Sequence, residues 1–114
     1  MNDTDIPILK KVYELYKVFH EYRKVIPKHD RFTIYERTEQ LILDIVEGIF
    51  LAGYSKSATK ATTLDHISAK LNLVRLLVRL MKDTKTIDGK KYMVLQEIID
   101  EIGRMLGGWI RSIR

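Results

Sequence analysis

Cysteine is absent from this chain, which excludes disulfide frameworks, thiolate zinc sites, iron–sulfur clusters and cysteine nucleophiles. A reducing, cytoplasmic setting is the expectation that goes with it. Long apolar runs are missing too. No stretch approaches the ~18 consecutive apolar residues of a spanning helix, and the N-terminal MNDTDIPILKK carries acidic residues where a signal peptide carries positive charge. Neither export nor a membrane anchor is expected. The three histidines, His20, His29 and His66, stand apart without metal-ligand spacing. Glu97, Asp100 and Glu101 share a helix face but lack the Glu-x-x-His pair of a diiron bundle, so they read as a solvated acidic face. Gly103, Gly107 and Gly108 fall inside a helical pattern, not after a strand, and the phosphate-loop spacing is not met. No catalytic residue, metal or cofactor is therefore assigned, and an enzyme is the reading with least behind it.

What the chain does have is positive charge and helical periodicity. Its 114 residues contain 20 Lys and Arg against 15 Asp and Glu, a net charge of +5 with a pI near 9.5, which favours polyanionic partners. The excess is local. From Ser55 to Lys85 the basic residues Lys56, Lys60, Lys70, Arg75, Arg79, Lys82 and Lys85 face only Asp65 and Asp83, whereas Thr33 to Tyr54 holds Arg37 against Glu36, Glu39, Asp44 and Glu47.

Apolar residues recur at alternating steps of three and four in four segments, the spacing of a helix packed in a bundle seam. The seams are Ile8, Val12, Leu15, Phe19, Tyr22, Ile26; then Thr38, Leu41, Ile45, Gly48, Ala52, widened by Ile42, Val46 and Ile49. Next come Leu64, Ile67, Leu71, Val74, Val78, Met81, and finally Tyr92, Leu95, Ile99, Ile102, Leu106, Trp109, Ile113. Pro27 ends the first segment and PKHDRF is expected to be the turn. Thr33 with Glu36 suggests a capping box, and Gly53 suggests a left-handed helix end. YSKSATKATT reads as a loop and the most mobile stretch, Thr62 or Thr63 as the next cap, and the Asp-Gly of TKTIDGKK as the last turn. A single all-α domain over 1–114 follows, with helices at about 6–26, 33–53, 63–84 and 91–113, in an antiparallel up-down-up-down four-helix bundle.

The stretch LNLVRLLVRLMKD, residues 71–83, asks for more than one partner. On a helical wheel at ~100° per residue, Ser68, Asn72, Arg75, Arg79 and Lys82 share a narrow polar sector. Leu71, Val74, Val78 and Met81 can face the core, but Leu73, Leu76 and Leu80 lie too far round to reach it. Exposed leucines at that density form a patch monomers avoid, so an oligomer is expected, with these three in the contact and Leu43 and Phe50 as its complement. Arg75, Arg79 and Lys82, at i, i+4 and i+7, make a ridge with about 6 Å between positions, suited to a nucleic-acid backbone. Lys70, outside that sector, is added as a further basic position, and Arg104 and Arg111 make a similar pair one heptad apart. In a symmetric oligomer such patches multiply into a band of positive potential. Gly103 and Gly107, on one helix face, are read as admitting a neighbouring backbone, and Trp109 as plugging the bundle end.

IGRMLGGWIRS (102–112), LVRLLVRLMKD (73–83) and IPKHDRFTI (26–34) resemble the accessory variability determinant proteins of diversity-generating retroelements. These sit within a broader four-helix-bundle family that includes proteins encoded by intervening sequences of bacterial 23S ribosomal RNA genes. The resemblance spans nearly the entire chain. It implies a homopentameric barrel with a basic surface that binds RNA or DNA and associates with a reverse transcriptase, supporting adenine-directed mutagenic copying without being catalytic. The family's basic positions correspond to Arg75, Arg79, Arg104 and Arg111. The alternative is an oligomeric scaffold of the intervening-sequence type with no direct nucleic-acid role.

Overall fold

The computed structural model describes residues 6–114. Five helices follow one another: α1 (Ile6–Tyr22), α2 (Lys28–Arg31), α3 (Ile34–Tyr54), α4 (Ser57–Asp83) and α5 (Gly89–Ser112), with a 3-10 turn at Arg23–Val25. α2 is a single turn; the other four build the body. α1 packs on α3 and α5, and α4 packs on the same two, which closes a ring. Contacts across each boundary run in opposite directions. Phe19 and Tyr16 of α1 meet Tyr35 and Glu39 of α3, and Arg75 and Asp65 of α4 meet Asp100 and Arg114 in the opposite order. The chain is an antiparallel four-helix bundle, 43 × 22 × 19 Å, whose 27-residue α4 spans the long axis at ~1.5 Å per residue.

The interior follows the three-and-four spacing of the sequence. Ile8, Val12, Leu15 and Phe19 meet Leu41, Ile45 and Ala52, then Leu64, Ile67, Leu71, Val74, Val78 and Met81, and Leu95, Ile99, Ile102 and Leu106, all buried. Tyr35 is buried with them. Its ring stacks on Phe19 at 4.4 Å and 9°, and its hydroxyl donates to the Phe19 carbonyl at 2.7 Å, so burial leaves the phenol satisfied. Thr38 is buried likewise and donates to the Ile34 carbonyl at 2.8 Å. Trp109 lies half-buried against the core at the bundle end, with the Lys60 ammonium 5.9 Å from its ring centroid.

The element ends differ from the expected ones, each for a local reason. α1 stops at Tyr22 and winds into the 3-10 turn, and the PKHDRF turn is itself helical over Lys28–Arg31. Thr33 does not cap α3. Its hydroxyl donates back to the carbonyls of His29 and Asp30, so it is spent before α3 begins and no capping box with Glu36 forms. Gly53 does not end α3, which continues to Tyr54, and no described glycine has a positive φ.

YSKSATKATT is mostly helix, because α4 starts at Ser57 and not at Thr62 or Thr63. There the threonine hydroxyls turn inward: Thr63 donates to the Thr59 carbonyl at 3.1 Å and Thr59 to the Lys56 carbonyl at 3.1 Å. The last turns of α5 lie alongside and hold the early helix in place through Trp109 and Arg114. Ser55 and Lys56 alone join α3 to α4.

At the opposite end α4 finishes in a Schellman turn, with Thr86 N–H donating to the Met81 carbonyl at 2.8 Å and Lys85 N–H to that of Lys82 at 3.0 Å. The left-handed position is Lys85, at φ 62°, so the Asp-Gly pair is not the turn. Asp88 instead caps α5, accepting from the Lys91 backbone N–H at 2.8 Å, which holds its carboxyl below the usual carboxylate range. Thr86 is buried and donates to Asp30 at 3.1 Å, fastening this turn to α2.

Two substitutions test this packing. A Cβ on Gly48 would stand 2.8 Å from Cγ1 of buried Ile67, so Gly48→Ala should lower unfolding stability by about 1 kcal/mol, overpacking outweighing helix propensity. Lys85→Gly removes a left-handed side-chain clash and should raise it by about 1 kcal/mol; urea unfolding reads both. The pH dependence comes from Tyr35, whose hydroxyl burial pushes well above the ordinary tyrosine value. A raised folded value means its contribution is complete below pH of about 10 and is lost as pH climbs further. Tyr35→Phe should cost about 1 kcal/mol at neutral pH and flatten the alkaline fall in stability. Some slope should remain, since burial also raises Tyr16 and Tyr22.

Candidate nucleic-acid interface

Because α3 and α5 flank α4, each side chain of α4 outside the core belongs to one of two grooves or to the outer face between them. Arg75, Arg79 and Lys82 line the flank that meets α5. Arg75 forms an ion pair with Asp100 of α5, whose carboxylate also accepts from Gln96 Nε2 at 3.0 Å. The absent side chain of Gly103 makes room for this crossing, since a Cβ there would stand 3.3 Å from Arg75 Nη2. The expected close backbone at Gly103 is thus a guanidinium. Arg79 is well exposed, with Asp83 one turn on at 3.8 Å. Lys82 places its ammonium 4.5 Å from the centroid of the Tyr92 ring, the face of an aromatic ring being its negative side.

The other basic positions lie elsewhere. Lys70 stands on the α3 flank of α4, 3.8 Å from Asp44, and so does not join the ridge. Arg104 is exposed on α5 and paired with Glu101 one turn back. Arg111, in the last turn, is exposed and lies over Gly107 and Gly108, whose added Cβ atoms would stand 3.3 and 4.0 Å from its guanidinium nitrogens. Asp100 and Glu101 are therefore engaged with arginines and are not simply a solvated face. Exposed ion pairs of this kind contribute ~0–1 kcal/mol to stability, but each carboxylate subtracts from the potential its arginine offers a polyanion.

Two of the exposed apolar patches lie on the expected faces of α4 and α3, while Tyr13, Phe32, Met93 and Val94 are exposed elsewhere. On α4, Leu76 and Leu80 are exposed at 61% and 45%, while Leu73 is half-buried against the core. On α3, Leu43 and Phe50 are exposed, and Phe50 packs on Tyr54 at 5.1 Å between ring centroids. Both patches stay exposed, so neither covers the other within the chain.

Two grooves flank α5. Between α1 and α5 runs one of about 580 Å³, lined by Lys11, Glu14, Glu97, Asp100, Glu101 and Arg104 among others, in which carboxylates outnumber cations. Between α4 and α5 lies one of about 300 Å³, lined by Asn72, Arg75, Leu76, Arg79, Tyr92 and Gln96. Sequence reasoning placed Tyr92 in the core and passed over Gln96. The available signal was the spacing of Tyr92, Gln96 and Asp100, four apart on one face of α5, opposite the ridge of α4. Among the described residues no three His, Asp or Glu side chains converge to hold a metal ion, and no helix is long and apolar enough to cross a membrane. The arrangement can neutralise a phosphate chain and present an aromatic ring beside it.

Compared with known proteins, a family model described as bAvd-like matches residues 6–113. No curated protein matches the chain.

Proposed function

The chain belongs to the bAvd-like family, accessory proteins of the Avd type, and from that premise we propose that it binds nucleic acid as a non-catalytic partner of a retroelement reverse transcriptase, supporting mutagenic retrohoming. The observation that carries this is Arg75 and Arg79 along one open groove of α4, continued by Lys82 over the Tyr92 ring, in a chain of net charge +5. RNA or DNA lies along that ridge, with Arg111 and Arg104 adding charge from α5. The outer strips of α3 and α4 join protomers, Leu73, Leu76 and Leu80 of one against Leu43 and Phe50 of the next. A contact between unlike patches repeats around a ring, in keeping with the pentamer the resemblance implies. Each ridge is then repeated around the particle, which offsets the modest charge of one chain.

A second reading, an oligomeric scaffold without nucleic-acid binding, draws on the pairing of Arg75, Arg79, Lys70 and Arg104 with Asp100, Asp83, Asp44 and Glu101. Filter binding across a salt series separates the two. Wild type should bind duplex DNA with log affinity falling against log salt by about 0.9 per phosphate neutralised. Arg79→Gln with Lys82→Gln should weaken binding and reduce that slope by about 1 to 2, whereas Asp100→Asn, which releases Arg75, should strengthen it. Binding indifferent to all three, or absent, would favour the scaffold. Sedimentation addresses assembly. The protein should run as a multiple of 13.4 kDa, and Leu76→Glu with Leu80→Glu should return it to that mass with its helicity intact.

A further inference from the structure

Much of the chain's positive charge gathers at one end of the bundle, where the connection from α1 to α3 meets the connection from α4 to α5. Residues 21–31 set Arg23, Lys24, Lys28 and Arg31 against Glu21 and Asp30, and residues 84–91 add Lys85, Lys90 and Lys91 against Asp88. Seven cations against three carboxylates leave a surplus of four, in a chain whose net charge is +5. The two connections form one surface. Thr86 donates to Asp30 at 3.1 Å, and the Lys91 ammonium lies 5.8 Å from the centroid of the Tyr22 ring.

The carboxylates of this end are already engaged. Glu21 holds Lys24 at 2.8 Å, Asp88 holds Lys91 at 3.2 Å, and Asp30 accepts from Thr86 and stands 3.4 Å from His29. Arg23, Lys28, Arg31, Lys85 and Lys90 are in no ion pair among the described residues, whereas Arg75 and Arg79 of the α4 ridge each have a carboxylate. Fold stability does not account for two of these lysines. Lys90 lies in the first turn of α5, where the helix dipole disfavours a cation, and Lys85 occupies a left-handed position at φ 62°. Each stands where another residue type would serve the fold better, in keeping with a residue retained for binding.

Phe32 lies among these cations and is 66% exposed. The Arg23 guanidinium is 5.8 Å from its ring centroid, and the exposure leaves room on the ring for a second flat group. Cations interleaved with an open aromatic ring make a single-strand platform. An acidic protein would need the cations alone.

We propose that this end of the bundle binds single-stranded nucleic acid, with phosphates on Arg23, Lys28, Lys85 and Lys90 and one unpaired base stacked on Phe32. The inference rests on the nucleic-acid reading above and adds a second surface to it, beyond the end of the α4 ridge. Base identity matters little, because every base has a face to stack. In a ring of protomers, rotation keeps every copy of this end at one height, so the copies form a single cationic rim.

The test is fluorescence anisotropy on the assembled protein, with a labelled oligodeoxythymidylate and an abasic chain carrying the same number of phosphates. Lys28→Gln, Lys85→Gly and Lys90→Gln together should weaken oligothymidylate binding about tenfold at low salt. The slope of log affinity against log salt should fall by about 2, at ~0.7 per phosphate on a single strand. Phe32→Leu should weaken the oligothymidylate about fivefold more than the abasic chain. All four side chains are exposed, so these variants leave the core intact. A triple variant that binds like wild type would overturn the bundle-end surface and leave the nucleic-acid reading standing. Phe32→Leu acting alike on both chains would overturn the proposal as well, and so would polyglutamate competing as effectively as unlabelled oligothymidylate, which would assign the surface to an acidic protein. Wild type that binds neither strand would remove the nucleic-acid reading and this inference together.

Discussion

α4 is gripped on both flanks, and that constraint decides where the rest of its side chains can go. With α3 on one side and α5 on the other, Val74 and Val78 point inward, the ridge of Arg75, Arg79 and Lys82 borders α5, and Leu76 and Leu80 are forced outward. The close approach of Gly48 to Ile67 fixes the first boundary, and the passage of Arg75 over Gly103 fixes the second. Neither glycine serves a turn. Each is small because a side chain of α4 needs the space, which is how the helix-propensity cost of about 1 kcal/mol at each position is offset.

Electrostatics on this frame is a matter of distribution more than of total. The carboxylates of α5 gather towards α1, the cations of α4 border the other side, and Asp100 stands between them, shared by Arg75 and Gln96. An arginine tied to a carboxylate keeps its geometry and gives up part of its field. Arg79 and Lys82 share the single carboxylate of Asp83, so the net charge of the ridge rests with that pair, and Arg75 acts more as a strut that orients its neighbours than as a bare cation.

The core was legible in the sequence because the three-and-four spacing of its seams is a property of each helix alone. Val12, Ile45, Val78 and Ile99 could be placed without knowing what they touched. Helix ends were less legible, since they turn on small competitions between partners. Thr33 had a capping residue's identity but found nearer carbonyls in α2, and the Ser/Thr-rich start of α4 had a loop's composition but hydroxyls that bond within the helix. The left-handed turn fell on Lys85, a residue whose type gives no warning. The pairing of Arg75 with Asp100, 25 positions apart, depends on the register between two helices, which no single-helix wheel contains. Lys70, which the wheel already sets outside the polar sector, faces α3 beside Asp44.

The one tryptophan of the chain lies where α5 ends and α4 begins, with Lys60 above its ring. Its indole is thus a native optical probe of a single joint. Fraying of the first turns of α4 would lift the ammonium away and wet the ring while Phe19 and Tyr35, at the far end, stayed stacked. Emission colour and far-ultraviolet ellipticity would then part company on heating, and the gap between the two curves would measure how independently the two ends of the barrel-like body melt.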